Sequence, residues 1–413
     1  MNLFSLTALD AGIISDSSHG SLTVSVPQLI IFLAFAYHAP RHHRHTSGWS
    51  YRQVAAASFL KTFLRNFAFL RIKWPISLKP RCESTRFVVM NPAPADLYTG
   101  VAIDADIQPA RIGGTWYPEP YNPPSPTFQS SSPEEDQIKH QHIILHFHGG
   151  SYILGDGRTS SCGFLAKSFL ENTPASHVLC PQYRLATHKG GRFPAQLQDA
   201  ITSYMYLIRD LQIPASRIVL SGDSSGAHLA LALLRYILDH GYEFASKDKG
   251  RGQDTGLGID IPTPKCAWAW SPWCDVPGAV DAQGWTHSEN YKTEYIPGSF
   301  PAWGARRFLG DLEITEERER YLAPLRWPFR VPCPVLVGTG NREVLFHEHV
   351  RLVEVLGERR GGDGDPPVEI VVADKVPHDV FMIAWIMGFK AEARVCARKA
   401  GEFVDRIGGG VKL

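Results

Sequence analysis

The stretch that decides the fold is VLSGDSSGAHLALALL, Val219 to Leu234. An apolar run ends near Ser221, Gly222 and Gly226 bracket Asp223-Ser224-Ser225, and small and apolar residues at helical spacing follow from Ala227. A G-x-S-x-G pattern at a strand-to-helix turn holds a serine on a sharp bend, where flanking side chains would collide. Ser224 is the central residue of that pentapeptide. Ser225 falls just inside the helix, where its backbone N–H faces the same spot as the Ser224 hydroxyl. A Gly/Ser turn that only caps a helix has the same five residues, so a second signal is needed.

It lies in His146-Phe147-His148-Gly149-Gly150-Ser151-Tyr152, directly after the apolar run Ile143–Phe147. A negatively charged tetrahedral intermediate requires backbone donors presented without bulky side chains, which a His-Gly-Gly turn supplies. About 75 residues separate this turn from Ser224, room for the βα units that bring both turns to one sheet edge. Phosphate cradling is the competing use of glycine, but neither G-x-x-x-x-G-K-[ST] nor G-x-G-x-x-G occurs.

Outward from these turns, short apolar runs alternate with helical patterns from about Ile138 onward, the signature of βαβ units on a mostly parallel sheet. The strand candidates are Ile143–Phe147, His177–Pro181, Ile218–Ser221, Cys266–Trp270, Pro334–Gly338 and Val368–Val372. Helical periodicity marks 195–211, 226–238 and 347–356, and segments 86–90 and 110–117 read as an opening antiparallel pair. Segments 118–137, 246–260 and 357–367 are polar and rich in Pro or Gly, and read as surface loops.

Three sets of residues together resemble the hormone-sensitive-lipase-type branch of the α/β-hydrolases. They are His148-Gly149-Gly150, then Tyr183-Arg184-Leu185-Ala186 with Phe193-Pro194-Ala195, then Gly222-Asp223-Ser224-Ser225-Gly226. Ser271-Pro272-Trp273 and Pro377-His378-Asp379 are similar to later landmarks of that family, and the likeness runs from about Phe87 to the C-terminus. The resemblance implies an α/β-hydrolase fold with a helical cap, Ser224 as nucleophile and His378 as general base. It implies oxyanion donors at the N–H groups of Gly150, Ser151 and Ser225, with His148, Gly149, Gly222, Asp223 and Gly226 as motif support. Two departures stand out. Ser151 occupies the place of a third glycine, and Thr187 that of a proline in the supporting segment.

In this fold the acid follows the next-to-last strand, in the order Ser…acid…His. Pro334–Gly338 leads into Thr339-Gly340-Asn341-Arg342-Glu343-Val344-Leu345, with glutamate where the family has aspartate. Either carboxylate accepts from an imidazole Nδ1–H, and Glu348 and Asp374 remain as alternatives to Glu343. His378 sits in the loop after the last strand. His347 and His349, at a helix start, are expected to be solvated, and His228 to pack within its helix.

With 413 residues, 44% apolar and 20% charged, the chain has an ordinary globular composition. A net charge of +1 gives no electrostatic case for nucleic acid. Seven cysteines without C-x-x-C spacing and no acceptable N-glycosylation triplet favour the cell interior. No H-E-x-x-H occurs either, and no metal or cofactor is expected.

Two units are expected: an N-terminal extension over 1–83 and a catalytic domain over 84–413. Within the extension, LIIFLAFAY (Leu29–Tyr37) is too short to span a bilayer. His42, His43 and His45 stand among arginines and read as a solvated basic turn. From Tyr51 to Trp74, apolar Phe59, Leu60, Phe63, Leu64, Phe67 and Leu70 interleave with Lys61, Arg65, Arg71 and Lys73. This basic amphipathic helix suits a cap, peripheral contact with a membrane surface, or both.

The expected activity is hydrolysis of a small to medium apolar ester through an acyl-enzyme. Acyl transfer by the same intermediate, in a biosynthetic pathway, is the first alternative, and a non-catalytic ligand-binding protein the second. Trp268, Trp270, Trp273, Trp285, Trp303, Phe300 and Phe308 are available to line an apolar pocket, although core packing accounts for most of them.

Overall fold

A computed structural model describes residues 48–123, 142–241, 260–362 and 364–408. The apolar Leu29–Tyr37, the His42–His45 turn and most of the first two polar loops lie outside the described residues.

Eight strands form one sheet: β1 (Phe87–Met90), β2 (Ile112–Tyr117), β3 (His142–Phe147), β4 (Ala175–Gln182), β5 (Ile218–Asp223), β6 (Cys266–Trp270), β7 (Val335–Gly340) and β8 (Val368–Ala373). Their order is β1-β2-β4-β3-β5-β6-β7-β8. The β1–β2 and β2–β4 pairings are antiparallel, and every later pairing is parallel. The central strands read as unbroken apolar runs because both faces are covered. Ile143, Ile144 and Leu145 of β3 and Ile218, Val219 and Leu220 of β5 are fully buried.

The helices are α1 (Tyr51–Phe69), α2 (Thr159–Asn172), α3 (Ala195–Met205), α4 (Ser225–His240), α5 (Ala282–Thr286), α6 (Ser299–Leu309), α7 (Glu316–Leu322), α8 (Phe346–Glu358), α9 (Val380–Met387) and α10 (Lys390–Gly408). The pattern over 195–211 predicts one helix, but α3 passes into a π-turn over Tyr206–Asp210. Helices α2, α9 and α10 pack together, while α3 and α7 pack on α4, which lies against β3, β5 and β6.

Helix α1 starts at a capping box, with Ser50 and Gln53 exchanging bonds. It stops short of Trp74. Arg71 adopts φ 52, Ile72 N–H donates to Phe67 O at 3.2 Å, and Arg71 N–H to Ala68 O at 3.2 Å. That is a Schellman stop with arginine in the left-handed position usually given to glycine, so residue identity gave no warning of it. Phe67 packs on Phe300 and Trp303 of α6 at ring distances of 6.1 and 5.8 Å, and α1 also packs on α9.

The segment around α1 is tied to the body at both ends. Trp49 donates its indole N–H to Lys375 O at 2.7 Å, and its ring meets Phe389 edge-on. Arg158 donates to Pro80 O and Ser77 O at 2.7 Å and to Lys79 O at 2.8 Å.

Candidate active site

Parallel register brings the ends of β3 and β5 side by side, with Phe147 opposite Gly222. The two glycine turns therefore leave the same edge of the sheet. Ser224 follows β5 with φ 52 and ψ −117, a conformation that side chains rarely adopt. It is held there because Ser224 N–H donates to Trp270 O at 2.8 Å, while Ser224 O accepts from His228 and Trp273 N–H at 3.1 Å. Glycine is obligatory at two flanking positions. A β-carbon on Gly226 would collide with Phe147 O, and one on Gly222 with Gly226 O.

Ser224 Oγ lies 2.9 Å from His378 Nε2, and His378 Nδ1 lies 2.7 Å from Glu343 Oε2. Of the three carboxylates open to this role, the structure brings Glu343 to His378. Asp374 is exposed and accepts from Asn341 at 2.9 Å. Glu348 is half-buried on α8, and no hydrogen bond joins it to His378.

Glu343 is fully buried, and its other oxygen, Oε1, accepts from Gly340 N–H (2.6 Å), Thr339 Oγ1 (2.7 Å) and Ser271 Oγ (3.0 Å). Burial works to raise its pKa, but His349 and His378 together hold the carboxyl well below the usual carboxylate range. For His378, burial disfavours the cation; the hydrogen bond and charge of Glu343, joined by Glu294 and Asp379, outweigh it and carry the pKa up to about 9.

The expected oxyanion donors sit across from Ser224. Gly150 (φ 109) and Ser151 (φ 50) both lie in the left-handed region, and Gly150 O accepts from Ile153 and Leu154 N–H at 3.0 Å. Among the described residues, the N–H groups of Gly150, Ser151 and Ser225 donate to no protein acceptor. Ser225 Oγ instead accepts from Tyr152 N–H at 3.3 Å. The serine in place of the third glycine is accommodated from above. Gly304 of α6 faces it, and a β-carbon there would collide with Ser151 O and sit 2.8 Å from Ser151 Cβ.

The motif-support residues form a buried layer beneath the turns. Asp223 Oδ2 accepts from Gly149 N–H at 2.9 Å, and His146 Nε2 lies 2.8 Å from Asp223 Oδ1. His148 stacks on Tyr183 at 4.1 Å, and the Tyr183 hydroxyl donates to His148 O at 2.6 Å. Arg184 clamps Asp199, and Thr187 is buried beside His188. Burial raises the pKa of both Asp223 and Asp379; Asp223 adds to the rise at Asp379, while the hydrogen bond from Asp379 works against it at Asp223.

One expectation needs correction. His349 is not solvated but completely buried, 2.8 Å from Thr339 Oγ1 and 2.8 Å from Pro272 O. Its apolar helix face turns inward, whereas His347 is exposed and pairs with Glu289. Of the aromatic residues, Trp268 and Trp270 pack on Phe169, Phe300 and Trp303 pack on Phe67, and Phe308 stacks on Tyr152 at 4.1 Å. Their burial is core packing. His228 packs within its helix as expected, 2.5 Å from the Tyr152 hydroxyl.

Sequence reasoning also missed Glu294. Its buried carboxylate accepts from Tyr295 (2.9 Å), Val344 (3.1 Å) and Ile296 (3.2 Å) N–H groups. Asn290 Nδ2 donates to Glu343 O at 3.0 Å. Both residues brace the Glu343 turn from a segment some fifty residues away, and no local pattern announces them.

Residues 144–382 match the family described as the alpha/beta hydrolase fold, and the chain belongs to it. An acetyl-hydrolase of Streptomyces hygroscopicus is 27% identical over 276 residues, covering 64% of this chain and 76% of that protein. Among solved structures, a hyperthermophilic esterase of the archaeon Pyrobaculum calidifontis matches with a TM-score of 0.54 at 16% identity, over 84% of this chain and 92% of that one. An esterase of the bacterial hormone-sensitive lipase family matches at 0.53 and 18%, over 91% and 97%. The structural likenesses share the fold.

Proposed function

We propose that the chain is a carboxylic-ester hydrolase in which Ser224, His378 and Glu343 act as a triad on small to medium apolar esters. The observation that carries this reading is the continuous hydrogen-bonded line from Ser224 Oγ through His378 to Glu343, on a strained turn beside three uncommitted N–H groups. As Ser224 Oγ attacks the ester carbonyl carbon, His378 Nε2 takes the hydroxyl proton, and Glu343 stabilises the resulting imidazolium. The carbonyl oxygen becomes an oxyanion received by the N–H groups of Gly150, Ser151 and Ser225. Collapse expels the alcohol, which takes the proton from His378, and leaves an acyl-Ser224 ester. Water then attacks that ester, giving its proton to His378, which passes it to Ser224 Oγ as the carboxylic acid is released. Support for ester substrates comes from the esterase and acetyl-hydrolase names of the relatives. The test is a pre-steady-state burst with a p-nitrophenyl ester, equal in size to the enzyme concentration. Absence of both burst and turnover across acetyl to octanoyl esters would overturn the reading.

We further propose that α1 rests on an anionic lipid surface. Its buried residues are Val54, Ala57, Ser58, Leu64, Phe67 and Ala68, while Phe59 (43%), Phe63 (40%), Phe69 (80%) and Leu70 (64%) are exposed. No acidic residue occurs from Ser17 to Cys82, and Arg52, Arg65, Arg71 and Lys73 flank the exposed apolar residues. Aromatic rings for the headgroup boundary and cations for anionic lipid belong together on such a helix. Among the described residues no helix is long and apolar enough to cross a membrane. Co-flotation with phosphatidylglycerol vesicles, weak with phosphatidylcholine and lost in Phe63→Ser/Phe69→Ser, is the expected result. Equal flotation of the double variant, or none by the parent chain, would refute it.

A further inference from the structure

We propose that His349 is a positioning residue of this triad, carrying a proton on both ring nitrogens and balancing the Glu343 anion from the side opposite His378. The inference rests on the triad reading above.

It follows from counting hydrogens. His349 Nε2 is 2.8 Å from Pro272 O. A carbonyl oxygen only accepts, so Nε2 carries a proton. His349 Nδ1 is 2.8 Å from Thr339 Oγ1, which is also 2.7 Å from Glu343 Oε1. Thr339 has one hydroxyl hydrogen, and its remaining neighbour, Gly340 O at 3.4 Å, is another acceptor. Glu343 receives N–H groups from Gly340 and His378, so it is an anion and only accepts. The threonine hydrogen therefore belongs to Glu343. Thr339 then offers His349 a lone pair, and Nδ1 must carry a proton as well. In a neutral ring the hydroxyl would turn to Nδ1 instead. Two oxygens would then face each other at 2.7 Å, in a fully buried site, with no hydrogen between them.

The charges around the ring agree with this count. His349 Nδ1 stands 3.5 Å from Glu343 Oε1. From its own helix Glu348 faces it, a carboxyl that burial pushes upward while His349 opposes the shift. From the segment after β6 come Asp275 and Cys274, whose thiol is raised far above its ordinary range by burial and by Glu348, Glu343 and Asp275. Glu294, Asp379 and Asp223 face the far side of the triad, around His378. Among the described residues, His349 is the one cation set against Glu343 from behind. It limits how far the carboxylate raises the proton affinity of His378.

The consequence has a sign. Removing a cation behind Glu343 makes His378 keep its proton to higher pH, so the acid limb of kcat/KM moves in the alkaline direction. In His349→Gln and His349→Phe, the limb is expected to rise by at least about half a pH unit. At neutral pH, kcat should fall about threefold or more with KM little changed. A purely structural role would lower kcat without moving the limb, and that result overturns the proposal. Should neither variant fold, nitrogen-15 NMR of histidine-labelled parent chain at pH 7.5 decides. Two protonated ring nitrogens on a buried histidine distinct from His378 support the proposal, and a neutral His349 tautomer refutes it. That spectrum reads His349 whether or not esters are hydrolysed. A failed burst assay with a doubly protonated His349 therefore sinks the ester reading alone.

Discussion

Asp223 binds Gly149 across two turns that are 74 residues apart in the chain, its Oδ2 accepting the glycine N–H at 2.9 Å. One carboxylate thereby fixes the position of the nucleophile turn relative to the turn that carries the oxyanion donors. A side chain at position 149 would destroy the arrangement, because its β-carbon would collide with Asp223 Oδ2. In the proposed mechanism, the motif aspartate sets the separation between the Ser224 hydroxyl and the N–H groups of the facing turn.

The two adjacent serines separate cleanly by function. Ser224→Ala is expected to abolish turnover and fluorophosphonate labelling, since it removes the Oγ that faces His378 at 2.9 Å. Ser225→Ala keeps the backbone N–H and loses an acceptor for Tyr152 N–H. It should retain activity within about tenfold and lose about 1 kcal/mol of stability in denaturant titration. A dead Ser225→Ala that folds normally would show that the turn is misplaced.

Glu343 tests both charge and length. Glu343→Gln preserves shape but leaves an amide against the His378 N–H, and kcat should drop on the order of a thousandfold. Glu343→Asp keeps the charge but withdraws it from Oε1 and Oε2 partners on four sides. A loss of about tenfold to a hundredfold is expected from the displaced imidazole. Steady-state kinetics on one chromogenic ester ranks the pair, and Gln outperforming Asp would contradict the assignment.

The pH dependence follows from the same pair. Attack requires a neutral His378, whose pKa is carried up to about 9, so kcat/KM should climb through a single ionisation near that pH. Stability runs the other way. A histidine raised on folding stabilises fully below its unfolded value, about 6.5, and that contribution is lost as pH rises toward 9. Glu343, depressed on folding, contributes above its ordinary 4.5 and loses that contribution as the solution is acidified. The contribution of this pair to Tm should therefore be greatest between roughly pH 5 and 6.5, read as the Tm difference between the parent chain and His378→Ala across pH. A difference that grows toward pH 9 would argue against this ionisation scheme.

Gly304→Ala places a methyl against Ser151 O and Cβ. Helix α6 cannot retreat freely, because Trp303 and Phe300 are packed on Phe67 of α1. A loss of about 1–3 kcal/mol is expected, together with a fall in kcat/KM as the oxyanion turn is pushed. Adding Ser151→Gly should recover only part of both effects, because it removes the Cβ and leaves Ser151 O in place. Additive losses in that double-mutant cycle would show that the two positions do not press on one another.

Much of the fold could be read because buried parallel strands are short apolar runs with breaks at Gly, Pro and Ser. β3, β5, β6 and β8 fall within a residue or two of such runs. The nucleophile turn was legible for a similar reason, since glycine on both sides of a serine is a local steric demand. What escaped depends on distant partners. His349 lies near a helix start, where solvent is the ordinary neighbour, and only the approach of Pro272 O and Thr339 reveals its burial. Glu294 braces Val344 from 50 residues upstream. The end of α1 escaped because its apolar periodicity runs on past Arg71, while a backbone reversal decides where the helix stops.

The facing of Gly304 and Ser151 shows that steric allowance in this site is a shared quantity. Gly304 leaves empty the small volume that Ser151 O and Cβ border, and the nearer of those two atoms belongs to the backbone. Shrinking residue 151 therefore frees only part of that space. A helix grafted in place of α6 has to bring its own glycine to position 304, whatever residue stands at 151.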